Sequence, residues 1–376
     1  KFNQAIALDP SHAMAWFNRG VIHEMRGEVE EACKAFRICL DMKGDHGPAA
    51  ANLAVLLDRR GDSNSAAAVA EQAGVEQAQV LPFSTGVIGE PLPMERLLAG
   101  LPGAFDTLAD SSQAWQQAGE GILTTDTRAK GATVTVDIGD HQVTINGITK
   151  GSGMIKPNMA TMLAVVMTDA VVDGKAAKAI LADAVARSFN RISVDGDTST
   201  NDTVVLMASG VAAGPRVESV SSPAYRSLCD AVASVMDDLA RQIVCDGEGA
   251  TKVVDVVVGG AADDDQAGRV ARAIATSTLV KAALAGADPN WGRIVCAIGN
   301  SGVDIDQGSL AIDVDDVALV RDGTLVSDGA RRMARKAMRK DSFTLAVTVG
   351  RGRGKATVVT NDITEAYVRF NSAYTS

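Results

Sequence analysis

The sequence predicts an α+β body preceded by an all-α helical segment, and three observations carry that reading. Residues 1–60 place aromatic and small side chains at helical intervals, beyond residue 75 short Val/Ile runs take over, and those runs alternate with Ala-rich helical stretches without a strict strand–helix–strand rhythm. A length of 376 residues leaves room for two or three units that each bury a core. A hydrophobic share of 46% with 22% charged residues excludes wholesale disorder, and an aromatic share of 4% means that Ala, Val, Leu and Ile must fill the interior.

The first segment is repetitive. Trp16, Gly20, Gly27, Ala32 and Phe36 stand at the spacing of one tetratricopeptide unit, and a step of 34 residues carries Gly20, Gly27 and Ala32 onto Ala54, Gly61 and Ala66. Residues 1–62 therefore resemble roughly two tetratricopeptide units, whose small residues let paired helices approach closely. One functional reading is a groove for a peptide partner; the plainer one is a capping or truncated piece. The first residues already read as mid-helix, so a targeting signal would have to lie upstream of Lys1.

In the larger part, residues 132–138 alternate with period two, and residues 142–148 repeat the pattern after a Gly139-Asp140 turn signal, which predicts a hairpin. The continuous apolar run 161–167 suits a strand covered on both faces. Helices are expected over 175–190 and 224–243, with one or two more in 263–285; strands are expected over 253–258, 309–314, 343–349 and 356–360. Asp263-Asp264-Asp265 reads as a helix start, Arg351 to Lys355 as a link between strands, Asp195-Gly196-Asp197 as turn-forming acids, and Trp291 as a packed residue.

Charge and cysteine content remove several function classes. With 36 basic against 46 acidic residues the net charge is -10, which disfavours a nucleic-acid binder, and no run of apolar residues is long enough to span a membrane. Cys33, Cys39, Cys229, Cys245 and Cys296 are scattered, so neither a disulfide framework nor a metal site is expected, and a cytoplasmic location fits. Of four histidines three lie in the helical segment, and His141, beside the hairpin turn, reads as solvated; a Ser–His or Cys–His nucleophile is poorly supported.

The chemically informative stretch runs from Lys150 to Leu163: a Gly-Ser-Gly loop, a rigid Lys156-Pro157-Asn158 turn, then Ala160 and Thr161 opening a buried strand. If the Ala160–Thr161 bond is cut, Thr161 carries both a hydroxyl and an α-amine. That amine has a pKa near 8 in model compounds, so it can accept the hydroxyl proton near neutrality.

Together with Ser84-Thr85-Gly86-Val87-Ile88-Gly89-Glu90-Pro91, Thr124-Thr125-Asp126-Thr127, Val194-Asp195-Gly196-Asp197-Thr198-Ser199-Thr200-Asn201-Asp202, Asp246-Gly247-Glu248-Gly249-Ala250-Thr251-Lys252, Leu279-Val280-Lys281, the run from Ala285 to Arg293 and the closing Asn371 to Ser376, this stretch resembles the ornithine acetyltransferase (glutamate N-acetyltransferase) family of arginine biosynthesis. The resemblance implies a layered α/β body of that type, with residues 63–160 as the portion before a self-cleavage site at Ala160/Thr161 and residues 161–376 as the portion after it. It implies that Thr161 takes an acetyl group from N-acetylornithine and passes it to glutamate, with no cofactor; acetyl-CoA is an alternative donor in some members. Thr85 and Gly86 fall on oxyanion-hole positions, and Thr127, Lys150, Thr161, Glu248, Asn371 and Ser376 on substrate-binding positions. Association of two copies of each cleavage product is the family habit.

Two departures stand out. A strand-bearing region normally precedes the Ser84-Thr85-Gly86 segment, and the helical repeat takes its place here. Cys245 stands where an arginine is expected, which either removes an ion pair or repacks a strand end. A competing reading is an inactive transferase remnant serving as a protein-binding module.

Overall fold

The computed structural model describes residues 6, 9, 11–26, 28–43, 65–87, 90–156, 162–199, 201–218 and 220–373. The chain divides into two compact units between Asp110 and Ser111. Among the described residues no helix is long and apolar enough to cross a membrane.

In the first unit, helices α1 (Ala13–Met25) and α2 (Val29–Met42) pack against each other. Ala32, Cys33, Phe36 and Cys39 are buried at helical spacing, with Trp16, Phe17 and Val21 closing over them. Gly20 permits that approach, since a Cβ there would lie 2.5 Å from the Phe36 ring. Gly27, Ala54 and Gly61 of the predicted repeat lie outside the described residues, whereas Ala66 is buried within a helical stretch at 65–73. Helix α3 (Met94–Asp106) follows an irregular stretch that contains Ser84, Thr85 and Gly86.

The second unit opens with α4 (Ser112–Gly121), capped by Ser111, whose hydroxyl accepts the Ala114 N–H. The predicted hairpin forms from β1 (Lys130–Ile138) and β2 (His141–Lys150), antiparallel with Ile138 opposite His141. Strand β3 (Leu163–Thr168) pairs antiparallel with β2, placing Leu163 opposite Lys150. After α5 (Gly174–Arg187) and the short β4 (Ile192–Ser193), strand β5 (Thr203–Ala208) pairs parallel with β3 and completes a four-stranded sheet ordered β1-β2-β3-β5.

Helix α6 (Pro223–Cys245) covers the hairpin. Ser222 caps it and Pro223 opens it with a ring already fixed near helical φ. Leu228, Val232, Val235, Leu239 and Ile243, three or four residues apart, are fully or almost fully buried against the sheet. Gly147 lets helix and sheet meet: a Cβ there would stand 2.7 Å from Leu239 Cδ1 and 2.9 Å from Val235 Cγ1. The expectation that β3 is covered on both faces is corrected. Ala164, Val166 and Thr168 are buried, whereas Met167 on the other face is exposed beside Met207 of β5, because α5 and α6 build their shared core against one face of this sheet.

A second, seven-stranded mixed sheet is ordered β4-β11-β6-β10-β7-β8-β9. Its members are β6 (Val253–Ala261), β7 (Ala311–Val314), β8 (Val317–Arg321), β9 (Thr324–Leu325), β10 (Ser342–Thr348) and β11 (Gly354–Asn361). Val254, Val256 and Val258 alternate inward on β6 beneath α7 (Asp264–Ala275), which is followed by α8 (Thr278–Ala285), α9 (Trp291–Gly299) and α10 (Asp328–Ala337). The Asp263 cap does what the acid run predicts, accepting the Gln266 N–H, and Trp291 packs on this core. Helix α11 (Glu365–Ala373) ends the described chain. Cys245 is the exposed last residue of α6, so its substitution repacks no strand end.

Candidate active site

Five carboxylates in the second unit, Asp126, Asp195, Asp202, Asp246 and Asp362, organise the loops on which the predicted substrate residues lie. At the mouth of β1, Lys130 is fully buried and its Nζ lies 2.6 Å from Asp126 Oδ1 and 2.6 Å from Asp246 Oδ2. Asp126 Oδ1 also accepts the Gly151 N–H at 2.6 Å. Burial alone would raise the Asp126 pKa, but Lys130 and the Gly151 and Thr124 amides outweigh it and hold the carboxyl below its usual value. Asp246 accepts both the backbone N–H of Thr127, at 3.0 Å, and its hydroxyl. Thr127 is thereby fixed although its own surface is exposed.

The loop after β2 is gripped from three directions. Ser152 Oγ donates to Asp246 O at 2.7 Å, and Glu248 N donates to Ser152 O at 2.9 Å. Asp195 accepts the Met154 and Ile155 N–H groups at 2.5 and 3.0 Å, which steadies Met154 at φ 56°, a left-handed conformation unfavourable for a residue with a Cβ. Burial raises the Asp195 pKa against these donors. On the far side of the 157–161 segment, Asp202 accepts the Met162 N–H.

Lys150, Glu248 and Asn371 converge on this loop. Lys150 ends β2 and is 4% exposed; no hydrogen bond or ion pair engages its ammonium among the described residues. Burial lowers its pKa, Asp126 raises it, Lys130 lowers it further, and Glu248 and Asp202 raise it. Asn371 of α11 donates its side-chain amide to Glu248 Oε2 at 2.9 Å. Gly153 makes room for that carboxylate: a Cβ there would lie 2.5 Å from Glu248 Oε1. Tyr367, one turn before Asn371, has its phenol pushed up to about 12 by burial and by the negative charges of Asp195, Asp197 and Glu248, so it keeps its proton at neutral pH.

The 246–252 loop is anchored from below by Asp362, which accepts the Thr251 N–H at 2.8 Å, its hydroxyl at 2.6 Å and the Lys252 N–H at 3.0 Å. Beside it, the fully buried Lys281 donates to Thr360 Oγ1 and Asn361 Oδ1, both at 2.8 Å. Burial lowers its pKa to about 7. These bonds tie the end of β11, and so the start of α11, to the loop bearing Glu248.

Of the predicted site residues, the second unit thus brings together Lys150, Glu248 and Asn371, with Thr127 next to them through Asp246. Thr85, half-buried, and Gly86, exposed, belong to the first unit. Ala160, Thr161 and Ser376 lie outside the described residues. Sequence reading missed Lys130, Asp126, Asp246, Asp195, Asp202 and Tyr367 as individuals. A signal for Lys130 did exist: it shares the parity of the inward-facing Ala132, Val134 and Val136, where a charge requires a partner.

The arrangement has a buried cation at the end of β2 and a hydrogen-bonded carboxylate on the 246–252 loop, which can receive the carboxylate and the ammonium of an amino acid. The chain is similar to known proteins over most of its length. Residues 59–376 match the ArgJ family and residues 1–34 match a tetratricopeptide repeat. The chain is 46% identical over 310 residues to the arginine biosynthesis bifunctional protein ArgJ of Methylococcus capsulatus, covering 82% of this chain and 75% of the relative. It is 44% identical over 308 residues to the protein of the same name from Rhodopirellula baltica, with the same coverage. It also resembles the crystal structure of the arginine biosynthesis bifunctional protein from Bacillus halodurans, with 40% identity and a TM-score of 0.53 over 55% of this chain and 96% of that one.

Proposed function

The chain belongs to the ArgJ family, and from that membership we propose that it is a self-cleaving acetyltransferase of arginine biosynthesis in which Thr161 carries the acetyl group from N-acetylornithine to glutamate. The observation that carries the substrate assignment is the presence of opposite charges on two neighbouring segments: Lys150 at the end of β2, buried and without a partner among the described residues, and Glu248 on the 246–252 loop, whose carboxylate is oriented by Asn371 and acts electrostatically on Lys150. Lys150 stands opposite Leu163 in the sheet, two residues beyond Thr161. An amino-acid substrate bound there lies close to the proposed nucleophile.

In the first half-reaction the Thr161 hydroxyl oxygen bonds to the acetyl carbon while its proton passes to the α-amine. The acetyl carbon–nitrogen bond then breaks, and the proton leaves on the released amine of ornithine. In the second, the glutamate amine attacks the acetyl ester; its proton returns to the threonine oxygen, and N-acetylglutamate departs. Thr85 and Gly86 are the proposed donors to the oxyanion, where loss of one donor typically costs about 3 kcal/mol of barrier. Acetyl-CoA is a second candidate donor, consistent with the bifunctional name of the relatives. The reading further includes two copies of each cleavage product, a cytoplasmic setting, and a peptide as partner of residues 1–62.

The test is an intact-mass measurement on fresh protein with and without N-acetylornithine. Wild type should separate into residues 1–160 and 161–376, with one acetyl group added to the second piece, and Thr161→Ala should remain whole and unacetylated. A wild-type chain that stays uncut, or cuts without acquiring an acetyl group, rejects the proposal.

A further inference from the structure

Lys281 has no part in the chemistry proposed above, yet it is fully buried and its ammonium is surrounded by three oxygens. Nζ donates to Thr360 Oγ1 and Asn361 Oδ1, both at 2.8 Å, and to the Asn361 carbonyl. The hydroxyl hydrogen of Thr360 is directed at the carbonyls of Ser193 and Ala275, at 2.9 and 3.0 Å, so its oxygen serves Lys281 as an acceptor. Three uncharged acceptors thus match the three N–H groups of an ammonium one for one. Asp195 and Asp362 are the charged groups that act on Lys281, and both favour its protonated form. An apolar side chain would fill the same space without the desolvation penalty of a buried charge, so the donors need a purpose of their own.

An ammonium donates and never accepts, so it dictates which way the Asn361 amide faces. The oxygen must point to Nζ, which leaves the NH2 group for Val244 O, at 3.4 Å, in the last turn of α6. That nitrogen lies against Gly247, where a Cβ would collide with it, immediately before Glu248. Beyond Asn361 the chain passes through Asp362, which holds the Thr251 and Lys252 amides, to Thr364, whose hydroxyl donates to Gly249 O at 2.7 Å. It then reaches Asn371, the donor to Glu248 Oε2. Building on the reading of Glu248 as partner of the substrate ammonium, we infer that Lys281 is its positioning residue: by fixing the Asn361 amide between α6 and the strand that leads into α11, it sets where the Glu248 carboxylate stands.

The role belongs to binding and not to the chemical step. A hydrogen bond weakens steeply once its length or angle leaves the favoured range, so a loosened 246–252 loop lowers affinity for a substrate ammonium while the acetyl-transfer groups keep their places. The backbone bond from Ile363 N to Lys281 O, 3.4 Å long, is independent of the side chain. Side-chain variants therefore isolate what the ammonium does.

Lys281→Met tests this, since it keeps an unbranched side chain and removes the donors. The variant should be cut like wild type, with its KM for N-acetylornithine raised about fivefold or more and its kcat within about twofold. In a Glu248→Gln background the same change should leave KM within about twofold, because the group that Lys281 positions is already gone. A merely structural role predicts instead that the two effects on KM multiply. Wild-type KM in Lys281→Met, a kcat loss larger than the KM effect, or multiplying effects overturn the inference; so does a folded variant that remains uncut, since the residue would then act in scission. If thermal melting shows that Lys281→Met does not fold, Asn361→Ala decides, because it removes the bond to Val244 and leaves the ammonium two of its three acceptors. The inference requires a raised KM that again depends on Glu248, and a wild-type KM overturns it. Failure of the underlying reading looks different. Wild type without acetyl transfer, or Glu248→Gln with an unchanged KM, removes the site and this role together, whereas a raised KM in Glu248→Gln beside a wild-type KM in Lys281→Met removes the role alone.

Discussion

Lys130 Nζ sits 2.6 Å from Asp246 Oδ2, joining residues 116 positions apart, with side chains 0% and 4% exposed. The same ammonium meets Asp126, so one cation balances two carboxylates, and the Thr127 and Gly151 amides take up part of the remaining charge. Lys130→Met should cost about 3–5 kcal/mol, because it strands two buried acids without their counter-ion. Urea denaturation of the two proteins at pH 7 measures this. The folded pKa of Asp126 is depressed, so the contribution of its ionised form is present above the ordinary carboxylate range and is lost as pH falls through the folded value. The wild-type advantage should therefore shrink in the acid range below about pH 4.

Gly147→Ala should destabilise the second unit by about 1–3 kcal/mol through overpacking. The new methyl group would meet Leu239 and Val235, both almost fully buried and held between α6 and the sheet. A lowered urea midpoint with an unchanged slope is the expected signature. A midpoint equal to wild type would show that helix and sheet can separate locally at no cost.

Glu248→Gln keeps an oxygen for the Asn371 amide and removes the negative charge. If this carboxylate pairs with the substrate ammonium, the KM for N-acetylornithine should rise by about tenfold or more, matching the roughly 1.5–3 kcal/mol of a charged hydrogen bond. Scission and melting temperature should stay close to wild type. A KM that does not change would place the substrate ammonium elsewhere.

The hairpin, the buried valines of β6 and the capped start of α7 were readable from the sequence, because each rests on a local period or a local cap. The outer face of β3 was not. An apolar run states that a strand is hydrophobic but not how many layers cover it, and Met167 lies on a face that the α5–α6 core leaves exposed. In the site, the family motifs pointed to Lys150, Glu248 and Asn371, which the fold gathers. They gave no reason for Asp126 and Asp246 beyond their place in a motif. That reason is a lysine far from Asp246 in sequence, and such a partnership has no local signature.

The register of β2 against β3 gives the proposed scission a further meaning. Strands β1 and β2 precede residue 160, and β3 and β5 follow it, so after a cut the sheet would be shared, two strands from each polypeptide. The ladder from Ile145–Thr168 to Lys150–Leu163 would become a seam between molecules, as would the Lys130–Asp246 bridge. Such fragments are born zipped together: supplied as two separately synthesised pieces, each would display a bare sheet edge inviting promiscuous strand addition, and reconstitution by mixing would yield aggregate instead of enzyme.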